Sequence, residues 1–408
     1  MMISPATGRC DLARAGDVRG DPVGRIAAQA VCALCSFVRC GLLGTLLILL
    51  AACATRPGPD ALNIVSAPPR GAKLIKVYVA TTRERMSSNS NAFSAGRAPG
   101  LNYAEFTIAI PPGHKPGEIE WSAGASDPAR NFVVVAQEIL DAQQFYRQVA
   151  RQRGGKGPER IGVFVHGFNT NFQEALFRLA QMTADADIDG VPILFAWPSE
   201  ATVTGYIADK DAATYSRDGL VQLLTTLARA YPNDKITLVG HSMGGWLTVE
   251  ALRQLKLTGR FGVLDRLDVV LAAPDIDVDV FRSQMMVIGP LREPITVLVA
   301  SDDRALSVSG RLAGDRPRLG ALDINDARIQ EAALKANLQI VDISKLTASD
   351  SFNHDRYVNL AQLYPSLAAT AGSGAGNGLR RAGAFIFNAV GTTLSSPFDL
   401  AGRALAPD

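Results

Sequence analysis

From Arg160 onward, short apolar runs alternate with amphipathic segments of helical length, and this rhythm constrains the fold more than any other feature. The runs are Ile161 to Val165, Ile193 to Ala196, Ile236 to Val239, Leu267 to Ala272, Ile295 to Val299 and Leu338 to Ile343. Continuous β-rich runs separated by helices belong to strands covered on both faces, hence to a parallel sheet with right-handed crossovers. Each run closes on small, polar or glycine residues, and ligands bind at the carboxyl ends of the strands in such sheets. Before Arg160 the pattern differs: Lys73 to Thr82, Tyr103 to Ile110 and Asn131 to Gln137 read as strand following strand. The expected fold is α/β, a mostly parallel central sheet with helices on both faces and extra N-terminal strands.

The first fifty-odd residues stand apart. Gly41 to Ala52 is an uncharged apolar run preceded by Arg25 and Arg39, with the length of a signal h-region and too short for a membrane span. Leu50-Ala51-Ala52-Cys53 follows and resembles the lipobox of bacterial lipoproteins, whose cysteine becomes the lipidated N-terminus after cleavage. All five cysteines lie at or before Cys53, so a cleaved chain would hold no disulfide and no catalytic thiol. An uncleaved N-terminal anchor is the alternative, because residues 1–40 make a long n-region. The resulting division is a leader at 1–52, a flexible Pro, Gly and Ala-rich tether at 53–72, the α/β domain at 73–370, and a Gly-rich linker with a C-terminal tail at 371–408. The expected location is the bacterial cell envelope, lipid-anchored and facing the periplasm. Ala54 after the cysteine suggests the outer membrane by resemblance to sorted lipoproteins.

The formal charge of +2 belongs to the leader, which carries five Arg and three Asp. The remainder is balanced and has no basic run, so nucleic-acid binding has no electrostatic support.

Gly240-His241-Ser242-Met243-Gly244 matches G-x-S-x-G. The chemistry of that motif needs a strand, a tight strained turn holding the serine, and a helix, with glycines letting strand and helix approach. Ile236 to Val239 supplies the strand, and Leu247, Ala251 and Leu255 mark one face of the helix. Ser242 is thereby expected to be a nucleophile, with the helix N-terminus favouring the negative charge of acyl transfer. A Gly-rich turn with a capping serine is the bland alternative.

A hydroxyl of ordinary pKa needs a general base, and the base needs a third group to fix its tautomer. Among four histidines, His114 lies in a turn expected at the surface, His241 precedes the nucleophile and should point away from its Oγ, and His166 ends an early strand. His354 follows the last predicted strand and is the base by elimination and by chain order. The acid is expected just after the Ile295 strand, where Asp303 is favoured over Asp302 because only one can face the imidazole. Asp275 is a competing acid or a helix cap. A calcium loop begun at Asp275 fails, because Val280 and Met286 stand where Gly and Glu are required. Phe168, in the His166-Gly167-Phe168-Asn169 segment, and Met243 are the expected backbone donors of an oxyanion hole.

With these features in place the chain resembles an α/β-hydrolase, and more narrowly a bacterial family of unknown function, DUF900. The shared residues are Tyr78 to Arg83, His166 to Asn169, Ala196-Trp197-Pro198-Ser199, Tyr206 with Asp209, the nucleophile motif, Ala273-Pro274-Asp275 and Ser301 to Leu306. They span roughly residues 75–360; Gly240 and Gly245 depart from the Ala and Asn expected of the family. In that pattern Asp303 sits where the acidic residue stands. The expected activity is that of a serine hydrolase acting on an ester-type bond of a small-molecule or lipid substrate, with no metal or organic cofactor. An acyltransferase using the same triad and a non-catalytic binding protein on a hydrolase scaffold are the rivals. Trp197, Phe168, Phe172, Tyr206 and Trp246 are candidates either for an acyl pocket or for the core.

Overall fold

A computed structural model describes residues 56–65, 68–122, 124–152, 160–186, 190–360 and 386–388. Among the described residues ten strands form one sheet: β1 Lys73–Arg85, β2 Phe93–Ile110, β3 Val133–Leu140, β4 Arg160–Val165, β5 Gly190–Ala196, β6 Ile236–His241, β7 Leu267–Ala272, β8 Ile295–Val299, β9 Leu338–Asp342 and β10 Ile386–Asn388. The longer helices are α1 Ala142–Gln152, α2 Phe172–Asp185, α3 Tyr206–Ala230, α4 Met243–Leu257, α5 Val278–Ile288, α6 Arg304–Leu312 and α7 Ala327–Lys335. The sheet order is β10-β9-β8-β7-β6-β4-β5-β1-β2-β3. β1 and β4 to β10 pair in parallel, and β2 and β3 extend one edge antiparallel. The fold is that of an α/β hydrolase.

The apolar runs are legible because both faces of the parallel strands are covered. Ile161, Val163, Leu238 and Val269 turn into a layer shared with Leu220, Leu224, Leu247 and Leu252 of α3 and α4. Phe164, Leu194 and Ala272 face the opposite layer, against Phe172, Leu176 and Phe177 of α2. Each such side chain, fully buried, contributes on the order of 2 kcal/mol.

Strand order reverses at the centre. β5 lies on one side of β4 and β6 on the other, so the loops after β4 and β6 diverge around a crevice at their carboxyl ends. That crevice is where His166 to Asn169 and Ser242 stand.

Part of the segment expected as a flexible tether is docked instead. Pro59–Leu62 forms a short 3-10 helix, Leu62 is buried, and Ile64 makes a parallel bridge to Val134. Gln137 Nε2 donates to the Leu62 carbonyl at 2.9 Å and Asn171 Nδ2 to the Pro57 carbonyl at 2.9 Å. Leu62 is the apolar anchor, while Ile64 joins through its backbone and keeps its side chain exposed. The leader with Cys53 lies outside the described residues, as does the C-terminal tail apart from β10, which adds parallel to β9. Among the described residues, no helix is long and apolar enough to cross a membrane.

Candidate active site

β6 ends at His241, and the chain turns at once into α4 through Ser242, whose backbone sits at φ 53°, ψ −120°. A non-glycine residue in this region costs roughly 1–3 kcal/mol, and only over-determination by the surroundings holds it there. Here the Ser242 amide donates to the Ala272 carbonyl at 2.9 Å, while its carbonyl accepts from Gly245 at 3.0 Å and Asp275 at 3.1 Å. The glycines of the motif are required by contact. A Cβ on Gly244 would lie 2.3 Å from the His166 carbonyl oxygen and 2.4 Å from that of Val165. At Gly240, where alanine was expected from the resemblance, a Cβ would lie 2.5 Å from Thr248 Oγ1. The Gly244 carbonyl oxygen at 2.8 Å and Gly245 Cα at 2.9 Å crowd the same space, so backbone as well as the Thr248 hydroxyl fills the room an alanine would need.

One prediction follows at Gly244. Because the obstructing atoms are backbone, Gly244→Ala must push α4 away from β4, at a cost of about 1–3 kcal/mol or more. The urea midpoint should fall accordingly. Gly162→Ala, where an added Cβ meets nothing within 4 Å, should leave it unchanged or slightly raised.

The third partner arrives from far along the chain. Asp303 is fully buried and caps α6, its Oδ1 accepting from the Leu306 amide at 2.9 Å. Its other oxygen, Oδ2, lies 2.7 Å from His354 Nδ1. Asp302 faces elsewhere: Arg356 grips it with both terminal nitrogens, the Nη2 contact being 2.8 Å, and Asn353 Nδ2 reaches it at 3.2 Å. Asp350 Oδ1 accepts from the His354 amide at 2.9 Å and fixes the loop. The His354 ring lies 4.7 Å from that of His241, the residue before Ser242. Burial draws the His354 imidazole down, but the Asp303 hydrogen bond and charge, helped by Asp350, outweigh it and leave the pKa above the ordinary value.

Asp275, the competing acid, is committed to other partners. Its Oδ1 accepts from Ser309 Oγ at 2.6 Å and lies 3.3 Å from Arg318 Nε; its Oδ2 accepts from Tyr206 OH at 2.8 Å. With its amide on the Ser242 carbonyl, Asp275 braces the strained turn. Asp277 is the N-cap of α5, accepting from the amides of Asp279 and Val280.

The loop after β4 comes close enough to the serine that a Cβ on Gly167 would sit 3.0 Å from Ser242 Cβ and 2.8 Å from His241 Nδ1. Close approach, more than backbone freedom, is what this glycine provides. His166 is buried, stacked on Trp197 with ring centroids 4.9 Å apart, and its Nδ1 lies 2.9 Å from the Gly167 carbonyl oxygen. A trans peptide points its C=O and N–H in opposite directions, so the Phe168 N–H faces away from the His166 ring. Burial, with the nearby Arg83 charge, pushes His166 down to about 3, so it stays neutral. The amide of Met243, first residue of α4, lies in the turn where helical N–H groups have no intrahelical acceptor.

One histidine differs from expectation. His114 is not a bare surface residue but is wedged between Glu120 Oε2 at 2.9 Å and Asp185 Oδ1 at 2.8 Å. His241 stacks on Tyr357 with centroids 4.3 Å apart, and burial pushes its pKa well down. Of the candidate pocket aromatics, Trp197 and Phe172 are core residues. Phe168, Tyr206 and Trp246 are partly exposed, Phe168 packing edge-on against Tyr206 at 5.2 Å.

The geometry gives meaning to comparison with other proteins. The family described as "Alpha/beta hydrolase of unknown function (DUF900)" matches residues 142–370. An uncharacterized protein of Nostoc sp. is 34% identical over 61 residues, which is 15% of this chain and 16% of that protein, so the chain spans about a sixth of this curated relative. A solved structure described as a hydrolase from Agrobacterium vitis S4 aligns at 12% identity over 72% of this chain and 99% of its own, with a TM-score of 0.29. A lipase-esterase related protein from Clostridium acetobutylicum aligns at 14% identity over 54% of this chain and 95% of its own, with a TM-score of 0.22.

Proposed function

Because the chain belongs to the DUF900 family of α/β hydrolases, we propose that it is a serine hydrolase cleaving an ester-type acyl bond. Ser242 is the nucleophile, His354 the general base, and Asp303 the group that holds the imidazole; the amides of Phe168 and Met243 receive the oxyanion. The observation that carries the reading most is the 2.7 Å contact between His354 Nδ1 and Asp303 Oδ2. With the Nδ1 proton committed to Asp303, Nε2 keeps a lone pair for the Ser242 proton. Oγ then attacks the acyl carbon, and negative charge collects on the carbonyl oxygen. His354 returns the proton to the leaving alkoxide as the C–O bond breaks. Water, deprotonated by the same imidazole, attacks the acyl-enzyme and restores the serine.

A fluorophosphonate probe tests this directly. Intact mass should show one adduct on the wild-type protein and none on Ser242→Ala. A wild-type protein that remains unlabelled would exclude the reading, and product analysis with an added alcohol separates hydrolysis from acyl transfer.

We also propose that Cys53 carries lipid and anchors the domain at the periplasmic face of the outer membrane. The lipobox-like Leu50-Ala51-Ala52-Cys53 supports this. Metabolic labelling with a radioactive fatty acid should mark the wild-type protein and not Cys53→Ser; a wild-type protein that takes up no label, or a variant that takes up as much, would exclude a lipid anchor at this residue.

A further inference from the structure

Three of the shared motifs, Arg83, Trp197-Pro198-Ser199 and Tyr206 with Asp209, contribute no atom to the proposed chemistry, yet they converge beneath the loop that carries Phe168. Asp209 lies in the first turn of α3 and is completely buried. Its Oδ2 accepts from Ser199 Oγ at 2.6 Å and from the Asn169 amide at 3.3 Å, and its Oδ1 accepts from the Glu200 amide at 2.6 Å. Ser199 Oγ in turn accepts from the Thr170 amide at 3.2 Å. Arg83, also buried, donates to the Thr170 carbonyl at 2.9 Å and to the Ser199 carbonyl at 3.2 Å. Both peptide groups that follow Phe168 are therefore gripped by side chains from other elements.

Such an arrangement is expensive. Burying opposite charges costs several kcal/mol of desolvation, and an apolar filling would serve stability as well or better. The nearby Asp209 charge offsets only part of the burial cost at Arg83, whose pKa is pushed down to about 10. The two loops so gripped each hold a non-glycine residue in the left-handed region, Asn169 at φ 55° and Ala201 at φ 56°. Strain of this kind persists only where the surroundings enforce it.

We propose that Asp209 is a positioning residue for the oxyanion hole, acting through Ser199 and the 169–170 peptides to hold the Phe168 amide in its catalytic direction. This rests on the serine hydrolase reading. Without the clamp Asn169 can relax toward negative φ, and the adjoining peptides rotate. A donor aimed at developing charge loses its value with small displacements, whereas substrate binding does not depend on it.

The test uses the full-length protein, a small activated ester and phenylboronic acid, which adds to a nucleophilic serine and presents an anionic oxygen to the hole. Ser199→Ala and Asp209→Asn should each lower kcat by about 10- to 100-fold, less than outright removal of a donor. KM should stay within about threefold, because the interaction belongs to the transition state. Boronic acid affinity should fall by the same factor as kcat, and the acid limb of the pH profile should not move, since His354 is untouched. Ser199→Ala leaves the Arg83 and Asp209 side chains in place and carries the test if Asp209→Asn does not fold. Unchanged kcat in the folded variants, or lost kcat with unchanged boronic acid affinity, overturns the proposal while the hydrolase reading stands. A wild-type protein that neither turns over ester nor binds the boronic acid overturns both.

Discussion

Ser242→Ala is expected to lower kcat on an acyl ester by roughly 10⁴- to 10⁶-fold, with substrate binding largely retained. The variant removes only Oγ, and alanine must still accept φ 53° in the turn. The braces there are all backbone contacts: the Ala272 carbonyl, the Gly245 amide and the Asp275 amide. The thermal midpoint should therefore change by only a few degrees while turnover disappears. Turnover within tenfold of wild type in a pure sample would remove Ser242 from the chemistry.

Asp303→Asn is expected to cost about 10⁴-fold in kcat, with a displaced pH profile. Asparagine is also a good N-cap, so its amide oxygen can keep the Leu306 amide and α6 should persist. The amide nitrogen would face His354 Nδ1, which must then accept. The proton moves to Nε2, and the imidazole can no longer take one from Ser242. In the wild type the base works only when neutral, so activity should fall as pH drops through a midpoint above that of an ordinary histidine. Loss of the Asp303 charge lets burial dominate, and the residual activity should show that midpoint at lower pH. A kcat-against-pH series on both proteins checks the direction; a midpoint that stays or rises would mean that Asp303 does not set the His354 charge.

Most of the fold was legible because strands covered on both faces must be apolar throughout. The runs of β4, β7, β8 and β9 match to within one residue, while β5 begins three residues before its run and β6 ends two after it. The first half of β2 was not, since Gly96, Pro99 and Gly100 interrupt any strand pattern and the segment is held by pairing with β1 around Arg83 and Arg85. Docking of Pro57 to Val65 was equally hidden, because it depends on contacts with Val134, Gln137 and Asn171, all distant in sequence. At the candidate site, Ser242 announces itself through local requirements of a turn. Choosing between Asp302 and Asp303 needs the position of Arg356, and no neighbouring residue encodes it. Arg83 and Asp209 give no local sign of burial either; what singled them out was a family pattern without a stated role.

The docked N-terminal segment bears on how the domain would live at a bilayer. With Cys53 acylated and Pro57 already pinned to Asn171, the intervening chain reaches at most about 14 Å when fully stretched. That is a short leash, far below the reach of a loose linker extending to residue 72. A lipid on Cys53, as proposed above, would then hold the domain within that span of the headgroups instead of letting it drift.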